Sequence, residues 1–181
     1  LDHTIQVPVT LVTKSITNFT DLVSCVYYKI QGEDKYEGIE DKFNAGKYFI
    51  LANDFAASTY GADSMQWANA GRGFAGTLDG RYHTITGGEM YGGGLFGSIE
   101  SGTVKNIKFA DVKAVGANRV LIAGTLFNAT LENVEIYITD RKVCESGSFF
   151  GILASHPINN VTLTNVKIDA AGSTFPWIGG H

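Results

Sequence analysis

Charge is scarce in this chain and cysteine nearly absent. Asp, Glu, Lys and Arg together make up 18% of the 181 residues, and there are two cysteines and three prolines. The few Lys and Arg are scattered, and the formal net charge is −4. Without a basic stripe, nucleic acid is disfavoured, and no nucleic-acid partner is expected. No apolar run approaches the roughly 18 residues that a membrane-crossing helix needs, so no membrane span is expected in this segment. Cys25 and Cys144 lie far apart and outside any metal-ligand spacing, so two buried thiols are favoured over a disulfide. His3, His83, His156 and His181 are too dispersed to act as ligands, and neither a metal nor a cofactor is expected. The chain opens at Leu1 with no Met or signal-like stretch. It reads as a mature or excised piece of a larger multidomain chain, with any anchor or export signal outside it.

What the chain has is glycine, 22 residues of it, and apolar residues at 44%. That balance suits a turn-rich β fold in one domain and argues against disorder. Gly97, Gly124 and Gly151 are spaced by twenty-seven residues, and so are Asn106, Asn133 and Asn160. In that register five columns are purely apolar. They are Leu95, Ile122 and Phe149; Ile99, Leu126 and Leu153; Val104, Leu131 and Ile158; Ile107, Val134 and Val161; and Phe109, Ile136 and Leu163. After each Asn the residues alternate, as in Ile107-Lys108-Phe109 and Val134-Glu135-Ile136, the period-two pattern of a strand with one buried face.

A unit of short strands and Gly or Asn corners cannot bury its apolar face alone, so neighbouring units must stack. Asn belongs at a corner because it tolerates left-handed backbone and its amide can bond to the amides above and below. We therefore expect a mainly all-β chain: a right-handed parallel β-helix of coils of about twenty-seven residues, with Gly97, Gly124, Gly151, Asn106, Asn133 and Asn160 as structural ladders.

Upstream, Phe74-Ala-Gly-Thr-Leu-Asp-Gly-Arg-Tyr-His-Thr-Ile85 is an extended stretch broken by the turn dipeptide Asp79-Gly80. This run, with Gly93-Gly-Leu-Phe-Gly-Ser-Ile99 and Gly102-Thr-Val-Lys-Asn-Ile-Lys-Phe109, resembles the GLUG-type repeats and pectin-lyase-like β-helix modules of bacterial cell-surface proteins. With the lead-in Gly46 to Phe55 and Trp67, the resemblance spans about residues 16–171. The later copies depart from it, with Ile122-Ala-Gly-Thr and Phe149-Phe-Gly-Ile in place of the first Gly-Leu-Phe-Gly. The resemblance implies an extracellular, cell-surface location and a role as scaffold, adhesion or ligand-binding unit.

At the N-terminus, residues 5–13 alternate as a leading strand or linker, with Pro8 favouring an edge. Asn18 followed by Asp21 signals a helix start, and Leu22, Val23, Val26, Tyr27 and Ile30 then share one helical face. That short helix would cover the exposed strand edge of the first coil. Residues 1–15 form the leading strand or linker. Residues 16–73 form the cap, with the helix, an acidic loop, a first strand and a long loop. Residues 74–172 form the coils, and 173–181 a second cap or the join to another module. Glu33, Asp34, Glu37, Glu40 and Asp41 form the acidic loop; calcium is conceivable there, but the spacing matches no calcium loop and a solvated loop is favoured.

The resemblance also raises a polysaccharide lyase or glycoside hydrolase as the alternative. Its candidates are Asp79, Arg81 and His83, which share a direction if the chain is extended. A corner at Asp79-Gly80 argues against that and for a structural role. Lys108, Glu135 and Thr162 at equivalent outward positions offer no pair of carboxylates for a glycosidase, and Ser98 and Ser148 lack a base partner. For the favoured non-catalytic function, a glycan or a host or bacterial surface protein is the expected partner. Tyr137, Tyr82 and Tyr91 are the candidate sugar-stacking residues, with Tyr137 placed outward by alternation; packing is the competing role for each. An ice-binding Thr column begins with Thr103 and Thr130 but is broken at Pro157 in this register.

Overall fold

The computed structural model describes residues 10–27, 43–62, 73–114, 120–138, 153–154 and 158–169. Among these the chain is mostly β, with one short helix. In chain order the first elements are β1 (Lys14–Ile16), α1 (Phe19–Val26), β2 (Tyr48–Leu51), β3 (Phe55–Ala56) and β4 (Tyr60–Ala62). Next come β5 (Thr77–Asp79), β6 (Thr84–Thr86), β7 (Glu89–Gly92) and β8 (Ser98–Glu100). They are followed by β9 (Thr103–Ala110), β10 (Lys113–Ala114) and β11 (Thr125–Phe127), then β12 (Thr130–Tyr137), β13 (Ile158–Asn159), β14 (Thr162–Thr164) and β15 (Lys167–Asp169).

Every described strand pair is parallel. The largest sheet runs β1-β2-β5-β9-β12-β14, with β3, β6 and β15 continuing it beyond a corner. Two three-stranded sheets run β4-β7-β10 and β8-β11-β13. From β5 to β12 the described chain visits the three sheets in a cyclic order, each pass adding a strand beside the last. The parallel stack also begins earlier than Phe74, because β1 and β2 already belong to the large sheet and β4 to the second.

The core is a set of columns. Leu78, Val104 and Leu131 align through β5, β9 and β12, and each is fully buried. Ile85, Phe109 and Ile136 align and are likewise buried. Stacking puts each side chain against its counterpart at the inter-strand spacing, so apolar area is removed from water at every step. The glycine column holds where it is described, with the Gly124 amide donating to the Gly97 carbonyl at 2.7 Å. Gly151 and Phe149 lie outside the described residues, as do Cys144, the acidic loop and Trp67. Cys25 is a free, buried thiol, and burial raises its pKa, partly offset by Ser24 and Lys14.

The last winding corrects the uniform spacing. Leu131 pairs with Leu163, Ile136 with Ile168, and Leu126 with Ile158. The amide of Ala123 donates to Leu153, so Leu153 belongs beside Ile122 and not Leu126. Asn160 is accordingly not the partner of Asn133. Its amide donates to Asn128, thirty-two residues back, and Asn165 donates to Asn133 across the same interval of 32. The last three passes through the large sheet each carry two polar corners five positions apart: Ser101 and Asn106, Asn128 and Asn133, Asn160 and Asn165, all with positive φ between 48° and 65°. The last winding is longer by the same five residues, so a twenty-seven-residue spacing lays one Asn corner over the other.

The helix begins where the sequence places it. Asn18 is extended and its side-chain oxygen accepts from the Asp21 amide at 2.9 Å, relieving one of the unpaired donors of the first turn. Lys14 Nζ reaches Asp21 at 2.9 Å. The buried face is Phe19, Leu22, Cys25 and Val26, rotated from the expected one. The helix stops at Val26, with Tyr27 turning to extended backbone as the C-cap, and Ile30 lies outside the described residues. Residues 10–13 form no strand; the first begins at Lys14.

Candidate functional site

Among the described residues, a connected group of polar side chains lies on the outer face of the large sheet, around Asp79. Alternation along β5 buries Leu78 and turns Thr77 and Asp79 outward. Asp79 occupies the position before the corner where later windings carry Asn. Its Oδ1 accepts from Asn106 Nδ2 at 3.0 Å across 27 residues, and Asn106 Oδ1 accepts from Asn133 at 2.8 Å. With Asn165 bonding to Asn133, the ladder runs Asp79, Asn106, Asn133, Asn165.

The remaining lone pairs of Asp79 are also taken. Tyr48 donates its hydroxyl to Oδ2 at 2.6 Å, the Arg81 amide donates to Oδ1 at 2.9 Å, and Lys105 Nζ stands 3.9 Å from Oδ2. The carboxylate side chain is only 13% exposed. Burial raises its pKa, but the hydrogen bonds from Tyr48, Arg81 and Asn106 and the charge of Lys105 outweigh that, so Asp79 stays below the ordinary carboxylate range. Tyr48 moves the other way: burial and its bond to an anion raise the phenol. Burial lowers Lys105, but the hydrogen bond with Tyr48 and the charges of Asp79 and Glu132 leave it raised.

The backbone after Asp79 is not extended, so Asp79, Arg81 and His83 do not share a direction. Between β5 and β6 this winding carries two more residues than the corresponding stretch of β9, since Asp79 pairs with Lys105 and Thr84 with Lys108. Arg81 and Tyr82 both take positive φ, 48° and 66°. Gly80 is required there: a Cβ at this residue would lie 2.5 Å from the Asn106 carbonyl oxygen and 2.6 Å from Ile107 Cβ. The loop donates from the Gly80 and Tyr82 amides to Lys105 and Asn106. It projects Tyr82, 74% exposed, into solvent. His83 turns away from Asp79, and its Nδ1 lies 2.9 Å from Asp54 Oδ1, which also accepts from the Thr84 amide.

Tyr137 faces outward from the end of β12, as alternation predicts, and is partly buried. Lys108 lies 4.3 Å from the ring centroid and Lys167 lies 4.8 Å away, with Lys167 Nζ donating to the Tyr137 hydroxyl at 2.9 Å. The ring is therefore engaged by cations from both neighbouring windings. Glu135 pairs in register with Lys108 and Lys167, so Lys167 and not Thr162 completes that outward column. Thr162 instead continues a column of Thr77, Thr103 and Thr130, which Pro157 does not interrupt. Tyr91 lies in β7, paired with Gly61; its side chain lies outside the described residues.

Tyr48, Asp54 and Lys105 were not singled out from the sequence. The signal for Lys105 was present, because Asp79 precedes Asn106 by the repeat interval and brings the wall around it into the same register. Among the described residues no group of three or more His, Cys, Asp or Glu is arranged to hold a metal, and no helix is long and apolar enough to cross a membrane. No family model matches the chain, and neither does any curated protein or solved structure.

Proposed function

We propose that this chain is a right-handed parallel β-helix module of the GLUG or pectin-lyase-like kind, from an exported bacterial surface protein, and that it works as a non-catalytic scaffold or ligand-binding unit. The observation that carries this is the fate of the outer-wall polar groups. Asp79, Asn106, Asn133 and Tyr137 each spend their hydrogen-bonding or π surface on the neighbouring winding. Groups so engaged hold a rod together. A right-handed sense follows from the strong preference of parallel crossovers for that hand. Tyr82, with its ring exposed on a projecting loop, is the best-placed residue to stack on a sugar face. Glycan-array binding tests the binding role: Tyr82→Ala should abolish the signal, and Tyr137→Ala should weaken it less. A complete lack of signal across plant, host and bacterial glycans leaves the scaffold role alone.

A second function has one specific observation in its favour. Asp79, Lys105 and Glu132 align in register on one wall, the combination of a cation with two carboxylates that a lyase or hydrolase of this fold would use. Against it, Asp79 is closed off by its donors and held ionised, so it is not available as the protonated general acid that a glycosidase needs. Incubation with uronate-containing and neutral polysaccharides, assayed for new unsaturated or reducing ends, decides it: turnover lost in Lys105→Ala would favour the enzyme.

A further inference from the structure

The corner after Asp79 is built from residues that its backbone disfavours. We propose that the Gly80–His83 turn is a recognition turn for a sugar bearing an anionic substituent, with Tyr82 stacking on the sugar ring and Arg81 pairing with the anion. This deepens the binding role above and rests on Tyr82 being its sugar-stacking residue. The His83 amide donates to the Gly80 carbonyl at 2.8 Å, and both residues between them have positive φ. Glycine, asparagine and aspartate dominate such turns, because a larger side chain there crowds the backbone. Among the described residues, every other non-glycine residue with positive φ is Asn, Asp or Ser. This turn alone among them holds an arginine and a tyrosine there, and it adds two residues relative to β9. Strain retained at an inserted turn points to the work of its side chains.

The backbone of the turn is pinned at each residue. The Gly80 and Tyr82 amides donate to the Lys105 and Asn106 carbonyls, and the His83 carbonyl accepts from the Lys108 amide. The Arg81 amide donates to Asp79, and the His83 ring lies against Asp54. A turn held this way loses little freedom when a ligand arrives. Its two long side chains are left over: Tyr82 is 74% exposed, and Arg81 is exposed too. Among the described residues the Arg81 guanidinium has no hydrogen-bond or ion-pair partner. Asp79 is matched by Lys105 at 3.9 Å and Asp54 by His83 at 2.9 Å, so neither carboxylate is set against the Arg81 charge. The planar fork of a guanidinium suits a carboxylate, sulfate or phosphate. The phenol ring beside it in sequence suits the apolar face of the sugar that carries that group.

A glycan array with uronate, sialate, sulfated and phosphorylated glycans beside uncharged ones, probed with the whole 181-residue chain, tests the proposal. Anionic glycans should bind and uncharged ones should not, and binding should fall as salt rises. The separate arms tell carboxylate, sulfate and phosphate apart. Arg81→Gln, which keeps Tyr82, should weaken binding about tenfold, and Arg81→Lys should weaken it less. Arg81→Asn combined with Tyr82→Gly should abolish binding while the melting temperature holds or rises, because Asn-Gly suits this turn. Equal binding to charged and uncharged glycans, lost in Tyr82→Ala but not in Arg81→Gln, overturns this proposal and keeps the glycan-binding role. No binding to any glycan overturns both. Anionic binding that survives the double replacement also overturns the proposal, because the charge would then be read elsewhere.

Discussion

Among the described residues, the first strand of the stack buries its inward residue and the last does not. Ile16 in β1 is fully buried beneath α1, whereas Leu163 in β14 is 46% exposed, although both are the inward residues of a terminal strand. The lesson concerns what a winding contributes. Among the described residues an interior strand of the large sheet is held on both sides by apolar columns and strand pairing, and the outermost strand on one side only. The same residue type in the same column should therefore matter very differently according to its level in the stack.

The largest effect should come from an interior core position. Leu131→Ala should cost about 2–5 kcal/mol, because the cavity is walled by coils on either side, while Leu163→Ala in the same column should cost under ~1 kcal/mol; urea unfolding of the two variants measures the contrast. If they lose equal stability, the two levels are not different.

Next comes the ladder. Asn133 both donates to Asn106 and accepts from Asn165, with φ at 50°. Asn133→Ala should cost about 2–3 kcal/mol from lost bonds and left-handed strain, and Asn165→Ala clearly less, by the same assay. Asn133→Gly should recover part of the loss, because glycine removes the strain and not the missing bonds.

The helix end offers a smaller handle. Asn18→Ala should cost about 1 kcal/mol through loss of the N-cap, read as a lower midpoint with unchanged sheet signal in circular dichroism.

Smallest is the acid response of Asp79. Its native pKa is depressed, so its stabilising contribution is complete above the unfolded value near ~3.9 and fades as pH falls through the lower native value. Thermal melts of the wild type and Asp79→Asn should therefore differ at neutral pH and converge on acidification below about pH 4. A gap that widens in acid would have the opposite sign and would remove Asp79 from its place at the head of the ladder.

Much of this was legible in the sequence. The Gly97–Gly124 and Asn106–Asn133 intervals set the interior register, and alternation placed Ile107, Phe109, Val134 and Ile136 inward, as found. Asn18 marked the helix start. The last winding was misread for a specific reason. Its five extra residues equal the distance between the two corners of a coil, so Asn160 falls twenty-seven residues after Asn133 while belonging to the Asn128 column. Similar residues at both corners hide such a slip, and only strand pairing exposes it. The surroundings of Asp79 were hidden for another reason. Tyr48 and Asp54 come from an earlier winding with no Asn corner to align it, and the two-residue bulge carrying Arg81 and Tyr82 breaks the alternation used to place side chains.

The register of the last winding is the claim on which the columns and the ladders both depend, and engineered disulfides test it most directly. With Cys25 and Cys144 replaced, Thr130→Cys paired with Thr162→Cys should cross-link under mild oxidation, because in-register parallel neighbours lie about 4.8 Å apart, within disulfide reach. Thr130→Cys paired with Pro157→Cys, the partner that a uniform twenty-seven-residue coil requires, should remain reduced. Efficient cross-linking of the second pair and not the first would contradict the account.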